Sequence, residues 1–301
     1  QIKSTEIIEV FSVFLLFVEC IRAYYNHRKL LIKIYLYYLL TFIMLINNKY
    51  IIETELGEGS FGKLYKGRHV YTNKLVAIKL HRLDGETMIR NEARILKLLI
   101  NTTGVPNIKA FGKQDGIFYM VIDLLGESVE RLNKNTDVDL ILQTMRRLVT
   151  ILNEIHDIGV IHRDIKPDNV LFTHKNDICL IDFGLSTMFI DCNNNHIEQL
   201  SNRDIVGNII YVSNNIHSGS NPSRRDDLIS VLYMTIKLIV GELPWSSFNI
   251  DKICTVKGNI NMRNYFNDKI PICILDVYAY CNSLGFKERP NYDYICKKLI
   301  V

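Results

Sequence analysis

The sequence feature that most restricts the fold is a glycine-rich stretch, GEGSFGKL, at residues 57–64. It contains Gly-x-Gly-x-x-Gly and an overlapping Gly-x-x-x-x-Gly-Lys, and both patterns bind phosphates through backbone N–H groups. A P-loop needs Ser or Thr after the lysine, but Leu64 occupies that position. P-loops and dinucleotide-binding folds also need a helix directly after the glycines, whereas KLYKGRHVYTNKLVAIKL is patterned as strands joined by a turn. The stretch therefore predicts a glycine-rich β-hairpin in place of a strand–helix turn.

The pattern of apolar residues divides the chain after Tyr50 into two parts. Short strand-like runs come first, with a helix at GETMIRNEARILKLLI and two more strands around IKAFGKQ and GIFYMVIDLL. After Gly126 the pattern is mainly helical, as in VDLILQTMRRLVTILNEIHDIG and DDLISVLYMTIKLIVG. A small strand-rich part followed by a larger helical part predicts two lobes with a cleft between them.

A lysine and a glutamate follow the glycine-rich stretch at positions that suit such a hairpin. VAIK ends at Lys79 on the next predicted strand. In the helix that follows, the 3.6-residue period places Glu92 on one face with Leu96 and Leu99. Because a carboxylate on an apolar face is costly unless a cation meets it, we expect Lys79 to pair with Glu92. The alternative is that both side chains lie at the surface.

The most specific motif is VIHRDIKPDNVLF, which supplies Asp164, Lys166 and Asn169 between apolar runs. ICLIDFGLS follows and supplies Asp182 in an Asp-Phe-Gly triplet, which is weak alone and specific in this order and spacing. With these motifs, Tyr50–Val301 resembles the eukaryotic protein-kinase catalytic domain. The resemblance implies an α+β, bilobal fold with a β-rich N-lobe at about 50–125 and an α-helical C-lobe at about 126–301.

The resemblance also implies ATP and Mg²⁺ as cofactors and gives each motif residue a role. Asp164 would accept the proton of the substrate hydroxyl, and Lys166 would neutralise the γ-phosphate, a lysine that is typical of serine/threonine kinases. Asn169 and Asp182 would bind Mg²⁺. Lys79 and Glu92 would hold the α- and β-phosphates.

Residues around the glycine-rich stretch would bind the nucleotide. Leu56, Leu64 and Ala77 would sandwich the adenine, while Ile122 would be the gatekeeper and Asp123–Leu125 would contact the base. The full set predicted to bind the cofactor is Leu56, Gly57, Glu58, Gly59, Ser60, Phe61, Gly62, Lys63, Leu64, Ala77, Lys79, Ile122, Asp123 and Leu125.

Two further motifs resemble the casein kinase I family. IDLLGESVERL (Ile122–Leu132) is similar to its hinge, and PSRRDDLISVLYMTIKLIVGELPW (Pro222–Trp245) is similar to its SRRDDL…LPW stretch. This resemblance implies a monomeric kinase that phosphorylates Ser or Thr in proteins, including acidic ones. It also implies that Asp227 lies inside and accepts hydrogen bonds from the backbone at residues 162–163, whereas the sequence alone is equally consistent with a solvated helix cap.

The chain departs from that family at two positions of the segment GNIIYVS. The family's threonine falls on Asn208. Its arginine, which helps to bind an acidic or phosphorylated substrate residue, falls on Ile210. Because an apolar side chain cannot pair with a phosphate, a preference for primed substrates is left open.

Two rival functions compete with the serine/threonine kinase. A catalytically inactive kinase-fold scaffold is less favoured, because Lys79, Asp164 and Asp182 are all retained. A small-molecule kinase is less favoured because of the SRRDDL-like motif.

Residues 1–49 form an extension that is set apart by two apolar runs, VFSVFLLFV (Val10–Val18) and LLIKIYLYYLLTFIMLI (Leu30–Ile46). As a helix, the second run would just reach across the hydrocarbon layer of a bilayer, about 30 Å. A membrane anchor within residues 1–47, an apolar helix packed on the domain and non-native sequence are the open interpretations. The third is slightly favoured because the chain opens with Gln1.

Charge and cysteine usage restrict the partners and the compartment. The net charge is +4 and no long Lys/Arg block occurs, so nucleic acid is not expected as a partner. The seven cysteines are scattered and never spaced Cys-x-x-Cys, which argues against a disulfide framework or a zinc site. We expect a cytoplasmic or other reducing intracellular location, with a membrane-anchored protein as the alternative.

Overall fold

The computed structural model describes residues 45–59, 62–82 and 85–300. An antiparallel six-stranded sheet with the order β1-β2-β3-β4-β6-β5 forms the N-terminal lobe. Its elements are β1 (Leu45–Ile46), β2 (Tyr50–Gly59), β3 (Gly62–His69), β4 (Leu75–His81), α1 (Glu86–Leu98), β5 (Ile108–Gln114) and β6 (Ile117–Asp123). The predicted strands and the predicted helix of this part are confirmed.

Hairpin geometry follows from the residues at the turns. β2 and β3 pair up to Gly59 opposite Gly62, so the glycine-rich stretch is the tip of a hairpin. The turn between β3 and β4 contains Asn73, which takes a left-handed conformation with φ 59°. Asparagine tolerates that region better than most residues, which explains why the chain turns at YTN.

The sheet begins before Tyr50. β1 pairs with β2 through Leu45 opposite Ile51, and Ile46 is only 3% exposed. The last two residues of the apolar run Leu30–Ile46 therefore form an edge strand. The rest of that run, and the interpretations that concern it, fall on residues 1–44, outside the described residues. Each helix within 45–59, 62–82 and 85–300 is too short or too polar to cross a bilayer.

The C-terminal lobe is mainly helical, with two short strand pairs. Its elements are α2 (Val138–Asp157), β7 (Val160–Ile161), β8 (Val170–Phe172), β9 (Ile178–Leu180), β10 (Thr187–Met188), α3 (Asn214–His217), α4 (Arg224–Val240), α5 (Ile250–Asn259), α6 (Met262–Phe266), α7 (Ile272–Ser283) and α8 (Tyr292–Lys298). β7 pairs with β10, and β8 pairs with β9.

The core of this lobe is built around α4. Buried side chains occur on every side of that helix from Arg225 to Ile236, so α4 is enclosed by its neighbours. It packs against α2 on one side and α7 on another. Ser223 and Asp226 form a capping box at its first turn. The predicted α+β, two-lobed architecture is confirmed, and the first turn of α4 points toward the segment between β7 and β8.

Candidate active site

Lys79 on β4 and Glu92 on α1 meet at the cleft side of the sheet. Lys79 Nζ lies 2.6 Å from Glu92 Oε1, and Glu92 is 2% exposed. The same ammonium is 3.7 Å from Asp182 Oδ1. The predicted contact between Lys79 and Glu92 is therefore present, because the helical period turns Glu92 inward with Leu96.

One ammonium faces two carboxylates in this cluster, and that imbalance explains the pKa shifts. Burial works to lower the pKa of Lys79, but attraction to Glu92 and Asp182 outweighs it and raises the pKa. Burial raises the pKa of Glu92, and the Asp182 charge adds to this against the pull of Lys79. For Asp182 the charge of Lys79 and other groups outweighs burial, so its pKa is lowered. The cluster has an excess of negative charge, which a bound cation would offset.

Asp164 is held by donors from both sides. Its Oδ2 accepts hydrogen bonds from Lys166 Nζ and Asn169 Nδ2, each at 2.9 Å. Its Oδ1 accepts the backbone N–H of Asn208 at 3.0 Å. The residue is 7% exposed. The three motif residues are therefore brought together. The bond from Asn208 was not predicted, because a backbone donor is not marked by any side-chain pattern.

His162 fixes the backbone next to Asp164. Its Nδ1 accepts the N–H of Asp164 at 3.2 Å, and its Nε2 faces the carbonyl oxygen of Ile181 at 3.0 Å. This arrangement corresponds to a neutral ring with the proton on Nε2. Burial lowers the pKa of His162, which keeps the ring neutral. The ring thereby connects the segment of Asp164 to the residue that precedes Asp182.

Asp227 ties the same segment to α4. Its carboxylate accepts the N–H of His162 at 2.7 Å and the N–H of Arg163 at 2.9 Å. Arg163 has φ 72°, so this hydrogen bond supports a backbone conformation that L-residues disfavour. The expectation that Asp227 lies inside is confirmed. The solvated-cap alternative is wrong for Asp227, and Asp226 makes the cap instead.

Two polar residues in this region were missed by sequence reasoning. His156 on α2 places Nε2 3.1 Å from Asp227 Oδ2, and its Nδ1 lies 2.5 Å from the Tyr292 hydroxyl. Asn91 donates from Nδ2 to the carbonyl oxygens of Gly184 and Ser186, which holds the Asp-Phe-Gly region against α1. The position of Asn91 next to Glu92 in the sequence could have indicated this contact, because Glu92 was already expected on the side of α1 that faces the cleft.

The register of the sheet gathers several residues predicted to bind the nucleotide. Leu64 lies opposite Lys79, and Ala77 lies opposite Ile122, so these four share one face of the sheet. Gly57 lies opposite Leu64 in the hairpin. The apolar side chains of this face therefore line the cleft next to the Lys79 ammonium.

The remaining predicted residues are placed differently. The side chain of Asp123 binds the N–H and amide of Asn107 and the ammonium of Lys109, so its carboxylate is engaged away from the sheet face. Lys63 pairs with Glu55 across the hairpin at 3.0 Å. Leu56 is 49% exposed, Glu58 is exposed, and Leu125 is half-buried. Ser60 and Phe61 lie outside the described residues, and Gly59 ends β2.

Two glycines of the hairpin, Gly57 and Gly62, have different surroundings. A Cβ at Gly57 would meet no protein atom within 4 Å, so the protein itself does not require glycine there. The open space is what close approach of phosphates to the backbone needs. At Gly62, however, a Cβ would lie 2.0 Å from the carbonyl oxygen of Leu80, so that glycine is required by strand packing.

The donor set also suits Mg²⁺. Asn169 uses its amide nitrogen for both of its side-chain bonds to Asp164, which leaves its oxygen as a ligand. Asp182 adds a carboxylate that is charged at neutral pH. In the described part of the chain, no group of three His, Cys, Asp or Glu side chains forms a metal cage. Mg²⁺ that arrives with a nucleotide needs only one or two protein ligands besides phosphates, so the residues fit it.

Comparison with known families agrees with this geometry. A family model described as the protein kinase domain matches residues 50–299, which is most of the chain. The matched range contains the Lys79–Glu92 pair and the residues around Asp164. This chain belongs to the protein kinase domain family.

Proposed function

We propose that this protein kinase is a serine/threonine kinase of casein kinase I type, which transfers the γ-phosphate of ATP to protein hydroxyls. One observation carries the proposal. Asp164, Lys166 and Asn169 converge through hydrogen bonds of 2.9 Å, beside a cleft that also holds Lys79 and Asp182. A lysine two residues after the catalytic aspartate is the serine/threonine-kinase pattern, and Lys166 occupies that position.

Each residue has a defined part in the proposed mechanism. Asp164 accepts the proton of the substrate hydroxyl, and its donors hold the carboxylate in one orientation. Lys166 stabilises negative charge on the transferred group, while Glu92 orients Lys79 toward the other phosphates. ATP would supply the phosphoryl group, and Asn169 and Asp182 would hold Mg²⁺, which would supply positive charge to offset that of the phosphates.

The contacts of the SRRDDL-like motif support the assignment to the casein kinase I type. Asp227 accepts the N–H groups of the segment before Asp164, as the resemblance implies. Where other kinases have Ala-Pro-Glu, this chain has Ser213 and Asn215, and both donate to Asp226 Oδ1. The motif and the stretch Ser213–Asn215 therefore form one polar network at the first turn of α4.

The proposed substrates are proteins with Ser or Thr, including acidic ones, bound by a monomeric kinase unit that follows the extension at 1–49. Ile210 offers no charge to a phosphorylated residue, so we propose that priming is not required. We also propose a reducing intracellular compartment, which is supported by the six cysteines in the described part of the chain, all of which are free.

The test is a transfer assay on the full chain with radiolabelled ATP and Mg²⁺. The substrates are casein, an acidic Ser/Thr peptide, its prephosphorylated form and a tyrosine peptide. We expect phosphoserine or phosphothreonine in casein and the acidic peptide, and none on tyrosine. Asp164→Asn should abolish transfer while leaving ATP binding largely intact, and Asp139→Asn on exposed α2 surface is the matched control. ATP binding without transfer by the unmodified chain would favour the scaffold alternative instead.

A further inference from the structure

The segment that follows Asn208 is held by side chains along its whole length. The carbonyl oxygens of residues 209–212 form a continuous row of acceptors. Lys257 Nζ donates to the first at 3.0 Å and to the last at 2.8 Å. Between them, the indole N–H of Trp245 donates at 2.9 Å and the Ser230 hydroxyl donates at 2.8 Å. Three separate parts of the C-terminal lobe therefore grip one short stretch of backbone.

Lys257 stands out among these donors because its amine is buried without a carboxylate partner in the described part of the chain. It lies on α5 and is 2% exposed, and no carboxylate of the described residues lies within 4.0 Å of its Nζ. Its other neighbours are the rings of Tyr233, at 4.8 Å, and Trp245, at 5.2 Å, and Nε2 of His217 at 3.4 Å. Aromatic faces and carbonyl dipoles thus take the place of a counter-ion.

Burial of this kind is expensive for a cation. Desolvation lowers the pKa of Lys257 to about 7, and desolvation together with the nearby Lys257 charge lowers that of His217 to about 4. A methionine of similar length would fill the same space without that cost, so packing alone does not explain a lysine. What the lysine adds is a pair of hydrogen bonds to backbone that lies outside any helix or strand.

The same backbone reaches the proposed catalytic carboxylate. Asn208 donates its N–H to Asp164 Oδ1, and its own carbonyl oxygen accepts the N–H groups of Tyr211 and Val212. Gly207, just before it, has φ 99°, and a Cβ there would lie 2.2 Å from the carbonyl oxygen of Arg163. Residues 207–212 therefore contact the segment of Asp164 on one side and are hydrogen-bonded by Lys257 of α5 on the other.

We propose that Lys257 is a positioning residue: by holding the carbonyl oxygens of Ile209 and Val212, it fixes residues 208–212 and, through Asn208, the orientation of Asp164. This inference rests on the proposed function, because it assigns Asp164 as the base. The ligand proposed to bind along residues 208–212 is the substrate peptide, whose hydroxyl must lie beside Asp164.

The test compares Lys257→Met with Lys252→Met, an exposed lysine on the same helix. In the full chain, amide hydrogen exchange is measured over residues 205–213, and kinetics are measured with the Ser/Thr peptide and ATP. For Lys257→Met we expect at least tenfold faster exchange in that stretch. We also expect kcat/KM for the peptide to fall at least tenfold per ATP-binding site, with KM for ATP within twofold of the original. Lys252→Met should change neither.

These readouts separate positioning from general destabilisation. A protein that is only less stable has fewer ATP-binding sites but keeps the same kcat/KM per site. If Lys257→Met does not fold, Lys257→Gln removes the ammonium from the two carbonyl oxygens while it keeps a polar side chain, and it should shift both readouts in the same direction. Unchanged exchange in the variant that folds overturns the inference, as does faster exchange with unchanged peptide kinetics. An original chain without any Ser/Thr transfer refutes the proposed function, and the exchange result still decides whether Lys257 holds the stretch.

Discussion

Asp227 provides the sharpest stability prediction, because one buried carboxylate supports the backbone on which Asp164 is carried. Oδ2 accepts from the N–H of His162 and from Nε2 of His156, and Oδ1 accepts from the N–H of Arg163. In Asp227→Asn, the retained oxygen can serve only one side of this arrangement. The new amide must then face a buried N–H, which leaves that donor unpaired.

The magnitude follows from these contacts. An unpaired buried N–H costs about 1–3 kcal/mol, and loss of charge at the remaining bonds adds about 1–2 kcal/mol. We therefore expect the free energy of unfolding to fall by about 2–5 kcal/mol in Asp227→Asn, a large share of the ~5–15 kcal/mol typical of a folded domain. Urea unfolding at pH 7, followed by the near-ultraviolet signal of Trp245, measures this difference.

The control is Asp139→Asn, which also removes an aspartate from the first turn of a helix but lies at the surface. Its effect isolates the helix-dipole contribution, about 0.3–1 kcal/mol. A loss in Asp227→Asn no larger than that of Asp139→Asn would refute the reasoning, because the buried hydrogen bonds would then contribute nothing measurable.

The contribution of Asp227 to stability should also depend on pH. Burial works to raise the pKa of Asp227, but the hydrogen bond and charge of His156 and the N–H of His162 outweigh it, so the pKa is lowered. A carboxylate with a lowered pKa in the folded state stabilises the protein above its unfolded pKa, about 3.9, and loses that contribution as the pH falls through the folded value. The difference between the original chain and Asp227→Asn should therefore narrow below about pH 4. A gap that widens there would contradict the assignment.

Three further predictions concern the nucleotide and substrate sites. Glu92→Gln leaves Asp182 as the carboxylate nearest to Lys79, so kcat/KM for ATP should fall about 10–100-fold, the equivalent of about 1.5–3 kcal/mol for a charged hydrogen bond. A steady-state ATP titration measures kcat/KM, and an unchanged value would exclude a role for Glu92 in orienting Lys79. Gly62→Ala should lower the free energy of unfolding by about 1–3 kcal/mol because of the clash with the backbone of β4. Gly57→Ala should change stability by less than about 0.5 kcal/mol and raise KM for ATP, so equal urea curves for the two glycine variants would contradict the packing. In Ile210→Arg, kcat/KM for a prephosphorylated peptide should exceed that for its unphosphorylated form about 10–100-fold, through a charge-assisted hydrogen bond of about 1.5–3 kcal/mol. Steady-state kinetics with the two peptides measure this ratio, and equal values would show that residue 210 does not determine the preference for phosphorylated substrates.

Local pattern was enough to predict the secondary structure and several contacts within the candidate site. Periods of two and 3.6 residues identified the strands of the first lobe, α1, α2 and α4, because side-chain burial repeats with the geometry of each element. The same rule placed Glu92 on a buried face and so identified Lys79 as its partner. The residues around Asp164 were recognisable because their motif is contiguous in the chain and resembles the one in protein kinases.

Only the tertiary structure showed how these parts are held. The N–H of Asn208 on Asp164, the two carbonyl oxygens on Lys257 and the Tyr292–His156–Asp227 series join residues that are far apart in the chain. Several of these bonds use backbone donors or acceptors, which every residue has, so no sequence pattern marks them. Residue identity and spacing alone specify which side chains are available for the proposed phosphoryl transfer. The packing of residues 208–212 against α4 and α5 determines the orientation of those side chains. These contacts form only when segments that are distant in the chain come together in the folded protein.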